Sequence, residues 1–358
     1  MLGADEHGAL PLPWLMAPLR AALASQRGHA LLVHGAPGVG ALPFAVSLAQ
    51  AWLCESAPPG SAAAPACGHC GSCRLVRAKL HPDLMVLLPE TLRRLHDWPL
   101  ADDRPDTEEG KRKPSKQIRI DEVRALIDWS TMTSARGRGK VAVLHPADSL
   151  NLQAASALLK TLEEPPTGTR LVLTCADPAW LLPTVRSRCQ TLPLGAPAAA
   201  AAVTWLQSQG VASAADAAVL LAACSGRPLD ALALLQDEVT AAAWAALPQA
   251  VARGQVANLA GWPVPRAVDA LMKLCHDALA RAGGGAARYF PEDALPARAD
   301  PVALAAWSRE LQRVARHDEH PWNEGLLIDA LVQAGAAALT LPRPSSVARE
   351  RRFDTLRP

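Results

Sequence analysis

Along the first half of the chain, short runs of consecutive apolar residues alternate with stretches where apolar positions recur every three or four residues. Unbroken apolar runs suit strands buried on both faces, and the 3.6-residue spacing suits helices laid over them. The pattern therefore predicts a parallel sheet covered by helices. The expected strands are residues 30–34, 84–88, 141–144, 171–175 and 191–194. Between them, Ile120, Val123, Leu126 and Ile127 share one helical face, with Asp121 near the start, where an anionic cap is favoured. A second helix reads Leu152, Ala155, Leu159 and Leu162, and it must stop before Pro165 and Pro166.

Residues 90–116 break this order. They contain DDRPDTEEGKRKPSK, too charged and proline-rich to bury a core, and are expected to form a mobile surface insertion. Composition shifts again at 195–202, after which the pattern is helical throughout. The organisation expected is an α/β domain over 1–195, a small helical unit over 196–238 and a larger one over 239–342. Residues 343–358, which include ARERRFDTLRP, form a basic tail with no apolar period and are expected to be disordered. A chain of 358 residues is too long for one ordinary core, in line with this division. Aromatic residues make up only 4% and alanine is abundant, which favours close-packed helices over sandwich-like sheets.

The formal net charge of +2 asks for no nucleic acid, so any DNA contact has to come from a local patch. No run reaches the ~18 uninterrupted apolar residues of a membrane span, and a cytoplasmic protein is expected. In a reducing compartment, clustered cysteines read as metal ligands rather than disulfides. The spacing Cys54-x12-Cys67-x2-Cys70-x2-Cys73 gathers four of the eight cysteines, with small or polar residues between the last three. Structural zinc takes four such ligands and leaves no open position, so a zinc module over 54–73 is expected. His69 and His81 are spare ligands should one cysteine not bind. Cys175, Cys189, Cys224 and Cys275 sit singly in apolar surroundings and read as small buried hydrophobes.

After the strand at 30–34, Gly35, Gly38 and Gly40 fall where a phosphate-binding loop G-x-x-x-x-G-K-[ST] has its glycines or tolerates one. The lysine position holds Ala41 and the magnesium-binding hydroxyl position holds Leu42. A triphosphate would meet backbone dipoles there, but neither a cation nor a metal ligand. After the strand at 141–144 comes His145-Pro146-Ala147-Asp148, where an ATPase would carry Asp-Glu-Ala-Asp. His145 stands in place of the metal-holding Asp, and Pro146 in place of the water-activating Glu. Both sites point to a chain that binds no ATP.

Taken together, HALLVHGAPGVG, CGHCGSC, the HPD of His81–Asp83, QIRIDEVRALIDW, LLKTLEEPP at 158–166 and SRC at 187–189 resemble the AAA+ subunits of bacterial DNA clamp loaders. The resemblance runs over almost the whole chain. The ATPase paralogues share the cysteine module, LLKTLEEPP and SRC, so Ala41, Leu42, His145 and Pro146 are what select the delta-prime type. HPWN at 320–323 also resembles that subunit's C-terminal collar. The fold implied is a RecA-like parallel sheet with helices and a zinc module, then a helical lid, then an all-α collar. The implied function is that of a rigid end piece in a hetero-pentamer with gamma/tau-type ATPase and delta-type subunits. Such a ring loads the sliding clamp onto primer-template DNA. Arg188 matches the SRC arginine that reaches a neighbour's ATP as a finger, with Arg186 a nearby competitor for the role; a solvated or intrachain salt-bridged arginine is the other reading of Arg188. In the lid, active relatives carry G-x-x-R-[DE]-A; here Gly226 to Ala231 put Leu229 at the arginine place and Arg227 two positions early.

Some residues keep two readings. Lys160, Glu163 and Glu164 fit either a solvated helix edge or a face turned to a neighbour or DNA. Arg136, Arg138 and Lys140 fit either a solvated glycine-containing loop or a phosphate contact. Two other functions are open to such a sequence: an active clamp-loader ATPase with unusual site residues, and a stand-alone zinc-module DNA-binding protein. The second needs a concentrated basic face, and the near-neutral charge speaks against one.

Overall fold

Five strands, β1 (Ala30–His34), β2 (Leu84–Leu87), β3 (Lys140–Leu144), β4 (Thr169–Cys175) and β5 (Gln190–Pro193), form one parallel sheet in the order β2-β3-β4-β1-β5. The structure is a computed structural model, and it describes residues 2–26, 28–56, 64–99, 113–297, 299–317 and 322–340. Ala30 pairs with Leu171 and Leu31 with Gln190, so β1 lies between β4 and the edge strand β5. In a sheet of this kind the carboxyl ends of neighbouring strands carry the ligand-facing loops. Here they carry the glycine loop after β1 and the His145 segment after β3.

The chain divides into two compact units, Met1–Ala201 and Ala202–Pro358. In the first, α1 (Met16–Ser25), α2 (Ala41–Leu53), α3 (Gly71–Arg77), α4 (Glu90–Leu95), α5 (Ile120–Thr131), α6 (Leu152–Glu163) and α7 (Pro183–Arg186) surround the sheet. One core joins Leu32, Ala142, Leu144, Leu171 and Leu173 of the strands to Val123 and Leu126 of α5 and Ala155, Leu158 and Leu162 of α6. Helix α2 packs on β1, β3 and β4 and is buried along nearly its whole length, Phe44 and Leu48 completely. Its Gln50 is also fully buried and holds the backbone of Ala4 at both N–H (2.6 Å) and C=O (3.1 Å).

The second unit is all helical, comprising α8 (Ala199–Ser208), which straddles the boundary, α9 (Ala214–Ala223), α10 (Pro228–Gln236), α11 (Ala241–Ala252), α12 (Val264–Ala282), α13 (Pro301–Ala315) and α14 (Glu324–Leu339). Helix α9 packs on both α10 and α11, while α12, α13 and α14 pack on one another. Asp277, fully buried in α12, accepts hydrogen bonds from the backbone N–H groups of Arg288, Tyr289 and Phe290 and so fixes the loop after the helix. Among the described residues, no single helix is long and apolar enough to cross a membrane.

One expectation needs correction. The segment from residue 90 is not irregular from its start, because residues 90–95 form α4. Glu90 braces it, accepting from the N–H of Ser115 at 3.0 Å and pairing with Arg94 at 2.7 Å, and Trp98 is buried. These apolar and paired groups were masked in the sequence by the charge that follows. Residues 100–112, the tail 341–358, and His320 and Pro321 of HPWN lie outside the described residues.

Candidate functional site

The four expected cysteines converge. Cys54 caps the end of α2, and Cys70 caps the start of α3, its sulfur accepting from the Cys73 N–H at 3.4 Å. All four sulfurs lie within 4.8 Å of one another, with Cys54–Cys70 and Cys67–Cys73 each 3.9 Å apart. Four sulfur ligands set tetrahedrally at ~2.3 Å from zinc stand ~3.8 Å apart, so the cage fits such an ion. Further donors face the sulfurs: the N–H of Cys67 meets Cys54 at 3.5 Å, and the N–H of Cys70 and the hydroxyl of Ser56 meet Cys67 at 3.4 and 3.2 Å. Burial opposes ionisation of Cys67, but the Ser56 hydroxyl and the backbone N–H groups outweigh it and bring the thiol down to about 6. Burial keeps Cys54 and Cys73 raised.

The spare histidines are committed elsewhere. His69 is exposed and pairs with the Cys67 carbonyl at 2.9 Å. His81 is buried, accepts from the Asp83 N–H at 3.0 Å through Nδ1 and meets the Ser72 hydroxyl at 3.0 Å through Nε2. Gly68 has φ +80°, and a Cβ there would stand 2.0 Å from the Asp5 carbonyl, so the knuckle closes on the N-terminal segment only with glycine.

The loop before β3 holds this knuckle to the sheet. Asp83 is fully buried and accepts from the N–H groups of Ala135 (2.8 Å) and Arg136 (2.9 Å) and the Ser134 hydroxyl (2.9 Å), with Lys140 at 3.6 Å. Burial raises its pKa, but those donors and Lys140 hold it below the usual carboxylate range. Arg136 donates to Glu55 at 2.7 Å and to Ser72 at 3.2 Å, and Arg138 donates to the Cys54 carbonyl at 2.5 Å. The solvated-loop reading of Arg136, Arg138 and Lys140 holds for the exposed residues 135–137, but Lys140 is buried, and the three side chains also brace the cysteine module and the HPD motif. No local spacing connects residues 80 positions apart, so the sequence carried no signal of this pairing.

At the glycine loop the backbone keeps its turn. Gly40 caps α2 with φ +107°, and a Cβ there would meet Leu12 Cδ1 at 2.4 Å. The indole N–H of Trp14 bonds the Val39 carbonyl at 2.9 Å. Leu42, at the hydroxyl position, is only 3% exposed and belongs to the core. At the end of β3, Nδ1 of His145 pairs with the Thr174 hydroxyl of β4 at 2.6 Å. Burial pushes His145 down to about 4, so at neutral pH it is uncharged. One carboxylate oxygen of Asp148 is buried without a hydrogen-bond partner, and burial raises that group's pKa.

Arg188 lies just past α7. Its Nε donates to Glu163 Oε1 at 2.8 Å, Nη2 donates to the same oxygen, and Nη1 donates to the Thr184 carbonyl at 2.8 Å. LLKTLEEPP and SRC therefore meet in space, and Glu163 is an ion-pair partner rather than a bare solvated edge. Arg186 is exposed. Arg227 is held locally, by the Cys224 carbonyl at 2.9 Å and Asp230 at 3.0 Å. Cys175, Cys224 and Cys275 are buried as expected and Cys189 is half-buried; burial pushes Cys175 and Cys224 up to about 12 and Cys189 and Cys275 to about 11.

Residues 15–198, more than half of the chain, match the family described as DNA polymerase III, delta subunit. The chain belongs to this family. It is 39% identical over 210 residues to the DNA polymerase III subunit delta' of Pseudomonas aeruginosa, covering 58% of this chain and 56% of that protein. It is 34% identical over 230 residues to the delta' subunit of Escherichia coli, covering 63% and 61%. The chain thus spans less than two thirds of the length of these relatives. The tau subunit of Escherichia coli is 31% identical over 161 residues, 45% of this chain and 20% of tau. Among solved structures, a DNA polymerase III gamma subunit-related protein from Thermotoga maritima aligns over 91% of this chain and 100% of its own, with 15% identity and a TM-score of 0.46.

Proposed function

We propose that this chain is a cytoplasmic subunit of a bacterial clamp loader that does not hydrolyse ATP itself. In this reading it joins gamma/tau-type ATPase subunits and a delta-type subunit in a five-membered ring. It then takes part in loading the sliding clamp onto primer-template DNA, and its Arg188 stabilises charge at a neighbouring subunit's nucleotide. Family membership and the delta' relatives support the placement.

The observation that carries the non-ATPase reading is the replacement of chemistry at the carboxyl ends of β1 and β3. Ala41 supplies no cation, and Leu42 is turned into the core instead of offering a hydroxyl to magnesium. His145 is neutral and paired with Thr174, and Pro146 has no group to orient water. Phosphoryl transfer is catalysed almost wholly by positioning and charge, and this site keeps the turn of its glycine loop but has neither the cation nor the metal-holding and water-orienting groups. Trp14 also occupies the Val39 carbonyl beside the loop. In this reading the helical second unit comprises a lid over 196–238 and a collar over 239–342.

Cys54, Cys67, Cys70 and Cys73 would hold one structural zinc ion. Bound there, zinc would serve as a cross-link with no open coordination position. The chain's own contribution is the set of N–H and hydroxyl donors that favour thiolates, and the Glu55–Arg136 and Arg138–Cys54 contacts that hold the knuckle on the sheet. The test is equilibrium binding of magnesium–ATP to the isolated chain, with co-purification of the loader subunits in parallel. Absent nucleotide binding together with stable co-assembly is expected. Tight magnesium-dependent binding would return the chain to the active ATPases.

A further inference from the structure

We propose that Glu163 is a positioning residue for Arg188, fixing its guanidinium so that the outer N–H groups are presented to the neighbouring subunit's nucleotide. This rests on the reading of Arg188 as a finger acting in trans. Helix α6 ends where the chain meets two prolines. Pro165 and Pro166 forbid its continuation, so Glu163 is its last residue. A carboxylate there faces the negative end of the helix dipole, which is unfavourable unless a cation compensates. Arg188 does so with two donors on one oxygen, from Nε at 2.8 Å and from Nη2.

The other edge of the guanidinium is held by α7, whose Thr184 carbonyl accepts from Nη1 at 2.8 Å. That helix begins with Pro183, which presets its first turn. The planar group is thus gripped on both edges by two elements with proline-defined ends. Among the described residues, three of its five N–H donors are engaged inside the chain. What remains is the outer N–H of Nη2 and that of Nη1, which has only a long 3.4 Å contact to the Ser187 hydroxyl. As water attacks the γ-phosphorus and the bond to the ADP bridging oxygen breaks, these two donors are the ones free to meet the phosphoryl oxygens. An arginine already ordered loses less side-chain entropy on engaging them.

The experiment uses the loader reconstituted from this chain with its ATPase and delta-type subunits, and measures kcat and KM for DNA-stimulated ATP hydrolysis. Glu163→Ala is expected to lower turnover at the served site about two- to tenfold, the worth of one immobilised side chain, with KM unchanged. Glu163→Gln, which keeps the acceptor oxygen, should rescue most of that loss. Glu163→Ala combined with Arg188→Ala should be no slower than Arg188→Ala alone, and the ring should assemble in every case. If Arg188→Ala slows hydrolysis while Glu163→Ala does not, the positioning role falls and the finger stands. If neither slows it, the finger reading falls and takes this proposal with it. A Glu163→Ala loss that adds to that of Arg188→Ala, or a gain in turnover from Glu163→Ala, overturns the proposal, because Glu163 would then act by another route or restrain the arginine.

Discussion

Removing the Asp83 carboxylate should loosen the join between the cysteine module and the sheet. In Asp83→Ala, the N–H groups of Ala135 and Arg136 and the hydroxyl of Ser134 lose a fully buried acceptor that lies at 2.8–2.9 Å. Lys140, 5% exposed, loses its carboxylate partner at 3.6 Å and keeps the face of Trp129, 4.2 Å from its ammonium. Breaking a buried ion pair by deleting one partner costs about 3–5 kcal/mol, and each orphaned donor adds to the same loss rather than to a separate one. At ~1.4 kcal/mol per tenfold, this is at least a hundredfold in the opening equilibrium. Hydrogen exchange of the β2 and β3 amides reads it directly as lost protection. The pH dependence has a definite sign. The folded-state pKa of Asp83 is depressed, so its stabilisation is present above the ordinary carboxylate pKa and disappears as pH falls through the lower, folded value. The gap between wild type and Asp83→Ala should therefore narrow on acidification. Protection within threefold of wild type at neutral pH, or a gap that widens in acid, would mean that Asp83 does not hold the loop to the sheet.

The purified chain should carry about one zinc per molecule by elemental analysis, and Cys70→Ser with Cys73→Ser should abolish it; zinc unchanged in that variant would remove the metal from this site. Ala41→Lys with Leu42→Thr should not create ATP turnover, since His145 and Pro146 remain, and calorimetry should show a loss of about 1–3 kcal/mol from a hydroxyl placed where Leu42 is buried. Phe44→Ala should cost about 3–5 kcal/mol in urea unfolding of the first unit, because the ring is wholly buried in α2 against the sheet.

The sheet was readable because its strands are unbroken apolar runs; Ala30–His34 appears with the expected ends, and the others move by one or two residues at their ends. The helix over Ile120–Thr131 was legible from its apolar spacing, although its start is fixed by Glu122 accepting from the Arg119 N–H at 2.7 Å rather than by Asp121. Cysteine spacing announced a ligand set that folding then brought together. What spacing could not carry were contacts made by the chain returning on itself. Asp83 with the loop at 134–136, Arg138 with Cys54, and Glu163 with Arg188 join residues 25 to 84 positions apart. Glu90–Leu95 was hidden for a related reason, since its stability comes from Ser115 and from burial of Trp98 and not from its own composition.

Whether Arg188 acts on a neighbouring subunit's nucleotide is read out by DNA-stimulated ATP hydrolysis of a loader carrying Arg188→Ala. A finger arginine is worth roughly 10³–10⁵ in rate at the site it serves. Only one of several sites loses it, so total turnover should fall in part while the ring still assembles, and Arg186→Ala should do less. A loader with Arg188→Ala that assembles normally and hydrolyses ATP at the unmodified rate would contradict the account.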